Sequence, residues 1–163
     1  MVTLELRLFA DYHQIHLFDE GSQADVADAW TEEAVADNIA VAGDAIAVGT
    51  AVNGFVAVRV ELLDQPPVPD TGDFDHVVEG SMQVRSGRLV VMGCTECEPE
   101  ATRFDVPTGW LRMRASRSNL AVATRLGVES SEDPATTEQL RIQVWPAPQQ
   151  PTVVVKRWQP DAG

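Results

Sequence analysis

Cysteine, lysine, tyrosine and long apolar runs are what this chain has least of. Its two cysteines, Cys94 and Cys97, are too few for a disulfide framework. No apolar run approaches the ~20 residues that a membrane-spanning helix needs. The opening stretch alternates and is interrupted by Glu5, Arg7 and Asp11, so it has neither the basic nor the apolar region of a signal peptide. The expectation is a cytoplasmic protein without membrane insertion. Bases are scarce as well: 12 Lys and Arg stand against 25 Asp and Glu, a formal charge of −13. A surface that binds nucleic acid directly must neutralise phosphates, which this balance argues against. A hydrolase elbow, a phosphate loop and a dinucleotide fingerprint are all missing.

What is present is alternation. Val2, Leu4, Leu6 and Leu8 alternate with Thr3, Glu5 and Arg7, the pattern of a strand with one buried face. Similar runs follow at 12–18, 55–62, 77–84, 88–92, 102–106, from Trp110, at 140–144 and at 152–158, with an apolar stretch at 39–52 broken by Gly43 and Gly49. Asn53-Gly54 and Arg85-Ser86-Gly87 read as hairpin turns. Thr31 precedes Glu32-Glu33-Ala34-Val35-Ala36, an N-cap with acids in the first turn, which predicts a short helix at 31–37. The segment 116–137 is rich in Ser, Thr, Glu and Pro and reads as a loop or insertion. Nine or ten short strands with turn signals between them, and no alternating βαβ units, predict an all-β antiparallel sandwich. We expect one domain over 1–158 and a tail at 159–163.

Three constellations carry possible chemistry. Cys94-Thr95-Glu96-Cys97 has half of a zinc-site spacing, but its neighbours are acids, which raise a thiol pKa, and His13 and His16 are three residues apart on opposite sides of an extended strand. Asp70, Asp73 and Asp75, with Glu79 beyond, crowd one Pro-rich loop as hard-oxygen calcium ligands do, without the EF-hand spacing. Both read more simply as a turn and a solvated loop, so no metal, cofactor or catalytic residue is expected. Of the four tryptophans, Trp30 stands out because it sits among acids at a loop-to-helix junction, where an aromatic can anchor an interface.

The charge is unevenly spread. Residues 1–80 hold 16 acids and two bases, whereas residues 81–163 hold 9 acids and 10 bases. The same first half carries a family-like order of motifs: Tyr12-His13-Gln14-Ile15, then Trp30-Thr31-Glu32-Glu33-Ala34-Val35, then Gly43-Asp44-Ala45-Ile46-Ala47, and later Arg103-Phe104-Asp105-Val106-Pro107-Thr108-Gly109. In order and spacing this resembles the competence protein J family, inhibitors of a DNA-entry nuclease, over residues 4–63 and more loosely over 77–114. The resemblance implies a non-enzymatic inhibitor or immunity-type protein whose partner is a basic protein, a nuclease or toxin. Carboxylates placed where phosphates would lie suit such a partner. The expected partner-binding residues are Asp11, Tyr12, Asp19, Glu20, Asp25, Asp28, Trp30, Glu32, Glu33 and Asp37. The alternative is a sandwich that binds a small ligand or carbohydrate through the loops 64–76 and 115–137.

Overall fold

The computed structural model describes residues 2–95 and 101–160. Eleven strands form two sheets. The first six are β1 (Val2–Phe9), β2 (Gln14–Asp19), β3 (Ile39–Val41), β4 (Ala45–Gly49), β5 (Phe55–Leu62) and β6 (His76–Val84). The rest are β7 (Arg88–Gly93), β8 (Thr102–Asp105), β9 (Gly109–Ser118), β10 (Gln139–Pro146) and β11 (Val153–Lys156). One sheet has the order β1-β5-β10-β9-β6-β11 and the other β3-β4-β2-β7-β8. All pairings are antiparallel except β5 with β10.

Period-2 alternation builds the core between the sheets. Ile15, Leu17, Ile46, Val48, Leu89 and Val91 point inward from the five-stranded sheet. Val56, Val58, Val60, Met82, Met113 and Ile142 meet them from the six-stranded sheet. The predicted all-β sandwich is therefore observed, with β3 and β4 dividing the apolar stretch at Gly43, whose φ is 68°.

Both predicted hairpins are something else. The chain at Asn53-Gly54 leaves β4 in one sheet and enters β5 in the other, and Arg85-Ser86-Gly87 likewise joins β6 to β7 across the sandwich. Turn residues report a reversal, and they do not decide whether the flanking strands pair edge to edge or pack face to face. The arch at 85–87 is held by Asp19. Its carboxylate accepts the backbone N–H of Arg85 at 3.0 Å and of Ser86 at 3.1 Å, as well as the Ser86 hydroxyl.

The segment read as a loop at 116–137 also differs. Its first residues continue β9, a helix spans Leu120–Leu126, and a 3-10 turn covers Gly127–Glu132. That helix has no local capping side chain; the Leu120 N–H is accepted by Asp75, from a distant loop. The expected helix near 31–37 is present as α1 (Glu32–Asp37), capped by the Thr31 hydroxyl, which accepts the Ala34 N–H at 3.1 Å. The later helix, Leu120–Leu126, is α2. Among the described residues no helix is long and apolar enough to cross a membrane.

The arch between β4 and β5 is anchored by a buried ion pair. Arg117 Nε donates to Glu138 at 3.0 Å, with side chains 2% and 0% exposed, and the other Glu138 oxygen accepts the Ala51 N–H at 2.7 Å. Burial pushes the Glu138 carboxyl up from its ordinary range, and the Arg117 charge opposes that shift. Removing one member strands the other charge in the interior. Glu138→Ala is expected to cost about 3–5 kcal/mol, read as a lowered urea midpoint with an unchanged slope.

Candidate partner-binding surface

The outer face of the five-stranded sheet is built on β2, whose side chains alternate between half-buried and buried. Gln14, His16 and Phe18 face outward. Residues 22–31 fold across this face as a strap, with a 3-10 turn at Val26–Ala29 capped by Asp25, which accepts the Ala27 N–H at 2.9 Å. Beneath the strap lies a cavity of about 210 Å³ lined by His16, Phe18, Ser22, Asp25 and Val26, among others.

Trp30 ties the strap down. Its indole Nε1–H donates to Gln14 Oε1 at 3.2 Å, and the same oxygen accepts from His16 Nε2 at 2.9 Å. Burial holds the His16 pKa below its ordinary value, which keeps the ring neutral at physiological pH. Gln14 and His16 support the anchor, and neither is among the expected contact residues. Their signal was the outward-facing alternation of β2.

The strap leads directly into α1. Asp25, Asp28, Glu32 and Glu33 are exposed, and among the described residues none of the four forms an ion pair. Val35 lies three residues after Glu32 on the same helix and is 61% exposed, an apolar spot among carboxylates. Asn38 closes α1 in the left-handed conformation, and its carbonyl accepts the Gly49 N–H, beside Gln14. Asp11 and exposed Tyr12 precede the same end of β2, where Asp11 accepts the Tyr12 N–H and the Thr95 hydroxyl.

Of the ten expected contact residues, one is buried and two are held in ion pairs. Asp19 is a correction, because it is 5% exposed and its carboxylate is turned into the 85–87 arch. Glu20 lies at that same far end of β2 and pairs with Arg103 at 2.6 Å. Asp37 pairs with Arg157 at 2.6 Å. Sequence counting could not foresee this, since the neutralising arginines come from far along the chain.

Arg157 and His76 pin α1 from behind. Arg157 donates to the Ala36 carbonyl at 2.7 Å, supplying the cation that the helix C-terminus lacks. Buried His76 donates from Nε2 to the Asp37 carbonyl at 2.8 Å, and its Nδ1 accepts the Trp158 N–H at 3.0 Å. A second ring proton would face a donor, and burial also holds the His76 pKa below its ordinary value.

The other expected clusters do not converge. Asp70 is held by both terminal nitrogens of Arg141 at 2.7 Å, Asp75 caps α2, and Glu79 bridges Arg112 and Arg114. Burial and the nearby Asp11 push the Cys94 thiol up, away from the reactive thiolate. Cys97 lies outside the described residues. Among the described residues no three His, Cys, Asp or Glu side chains group as a metal set requires.

The class defined by this geometry is a two-sheet, all-β sandwich with an acidic strap and helix over one sheet. Solved structures share the fold. ComJ from Bacillus subtilis, described as an inhibitor of the DNA-degrading activity of NucA, superposes with a TM-score of 0.66 at 19% identity. The alignment covers 88% of this chain and 96% of ComJ. The product of crocagin biosynthetic gene J aligns with a TM-score of 0.64 at 22% identity, over 90% of this chain and 98% of its own. No protein-family model matches the chain, and no curated protein does. The resemblance to competence protein J thus holds at the level of the fold.

Two outcomes follow from the geometry. Asp19→Ala is expected to lower stability by about 2 kcal/mol, because it leaves buried N–H donors of the arch unpaired; chemical denaturation reads the loss. For His76, the neutral form belongs to the folded state, so its contribution is present above the unfolded pKa of about 6.5. That contribution falls as pH drops through 6.5 toward the lower folded value. Melting curves between about pH 7.5 and 5 should show this loss in the wild type and a flatter profile in His76→Gln.

Proposed function

We propose that the protein is a non-enzymatic inhibitor or immunity-type protein that binds a basic enzyme, a nuclease, in the cytoplasm. The contacts are Asp25, Asp28, Trp30, Glu32 and Glu33, with Asp11 and Tyr12 at the margin. The observation that carries this reading is that four exposed acids of the strap and α1 form no ion pair among the described residues, on a fold that a nuclease inhibitor also has. A nuclease presents a basic groove to its substrate backbone. Carboxylates at the spacing of a short helix and its lead-in occupy that groove electrostatically and speed the encounter. Trp30, half-buried and hydrogen-bonded, supplies an anchor that loses little freedom on binding.

The second reading, a small-ligand or carbohydrate module, draws on a groove of about 660 Å³ on the outer face of the six-stranded sheet. Arg7, Arg59, Arg141 and Phe74 line it, and no tryptophan does. The product of a biosynthetic gene also shares the fold. Titration with monosaccharides and small anions, followed by amide shifts around these residues, tests this reading.

The inhibitor reading is tested by capturing the partner from the native host and measuring association by stopped flow. Glu32→Lys with Glu33→Lys is expected to slow association about tenfold at low salt and to flatten its salt dependence. Binding that ignores both the substitutions and the salt would remove charge complementarity as its basis.

A further inference from the structure

We propose that β1 is a self-complementary edge through which two copies of the chain pair antiparallel, joining their six-stranded sheets into one. Among the described residues β1 ends its sheet and pairs only with β5, in an unbroken register from Val2 to Phe9. Edge strands of this length are ordinarily blunted by a bulge, a proline or charged side chains, lysine above all. β1 has no bulge, proline or lysine, its two charges are of opposite sign, and its nominally inward residues Val2 and Leu4 are 53% and 41% exposed.

The hydrogen-bond phase of the free edge follows from its neighbours. Ala57 and Leu63 of the β5 segment donate to β10 and its flank, so odd-numbered residues there turn their backbone groups toward β10. Even-numbered residues of β5 then face β1, where they partner even-numbered residues. Ala10 agrees, donating to the Gly54 carbonyl at 2.8 Å in the same register. The unpaired N–H and C=O groups of β1 therefore belong to Thr3, Glu5 and Arg7.

Two-fold pairing allows only registers that set odd residues against odd. Centring the axis at Glu5 puts glutamate against glutamate, and centring it at Arg7 puts arginine against arginine. Centring it at Leu6 puts each Glu5 opposite the partner's Arg7 in a hydrogen-bonded pair. The same register sets Leu6 against its symmetry mate and Leu4 against Leu8 on the core side, covering the exposed apolar edge. Glu5 is available for this, since its contact with Arg59 is a long 3.4 Å and solvent-exposed. Only the Leu6-centred register pairs opposite charges twice, whereas an axis at Leu4 sets Glu5 against Thr3 and gains no ion pair; an isologous interface closes at two copies.

One strand from each copy, with about four to six backbone hydrogen bonds, makes a small interface, so the affinity belongs in the micromolar range. Sedimentation velocity across micromolar concentrations is expected to show a monomer–dimer equilibrium. Glu5→Arg and Arg7→Glu should each weaken dimerisation about tenfold, because each places like charges opposite one another twice. The double variant E5R/R7E should restore it, and an equimolar mixture of the two single variants should form the heterodimer. Melting curves of the variants at monomeric concentration establish that each is folded. A wild type that stays monomeric, single variants that dimerise as it does, or a double variant and mixture that do not recover would overturn the proposal.

Discussion

The Arg117–Glu138 pair is the contact on which the arrangement of the sheets turns. Its two side chains come from β9 and from the residue just before β10, and its free oxygen reaches the Ala51 N–H in the arch between the sheets. It therefore fixes β9 against β10 and sets where the chain crosses to begin β5. β5 in turn positions β1 on one side and accepts β10 on the other. Such a pair is not a large net source of stability, because desolvation consumes most of its attraction. Its contribution is positional: both charges are satisfied with β9, β10 and the arch held in this arrangement.

Charge is redistributed by folding. The sequence places nearly all the imbalance in the first half, yet Glu20, Asp37, Asp70 and Glu79 are met by Arg103, Arg157, Arg141 and the Arg112–Arg114 pair of the second half. Arg112 and Arg114 of β9 and Arg141 of β10 face the outer side of the six-stranded sheet, where the 64–75 loop folds back over Arg141 and the backbone at Gln150 and Pro151 covers Arg112. Among the described residues, the exposed acids without an ion pair include the four of the strap and α1, and also Asp64, Asp73, Glu129, Glu132 and Asp133. A count by halves does not separate these acids; the paired arginines show which of the first half's carboxylates are neutralised within the fold.

The legible part of the sequence was whatever is encoded within a few residues. Alternation marked the strands, Thr31 with its two following glutamates marked α1, and Trp30 marked the strap's anchor. The missed features depend on distant partners. Asn53-Gly54 and Arg85-Ser86-Gly87 turn the chain as expected, but whether a turn becomes a hairpin or an arch is decided by what packs beneath it. α2 was invisible because Asp75 caps it from 45 residues away. Asp19 looked like surface acid because nothing near it in sequence shows the arch that it holds. Gly93 belongs with these: a side-chain carbon there would lie 2.2 Å from the Phe9 carbonyl, a close approach of β1 and β7 that no local pattern announces.

The single parallel ladder has a consequence for how the chain is made. β5 has its β1 partner as soon as residue 62 has been synthesised, but its other edge waits for Gln139–Val144. Through that interval the growing chain carries Val56, Val58 and Val60 on a strand paired on one side only. Parallel pairing across so long a stretch closes slowly. The nascent N-terminal half is therefore a sticky, acidic intermediate, whose like charges keep neighbouring copies apart until the last third of the chain arrives.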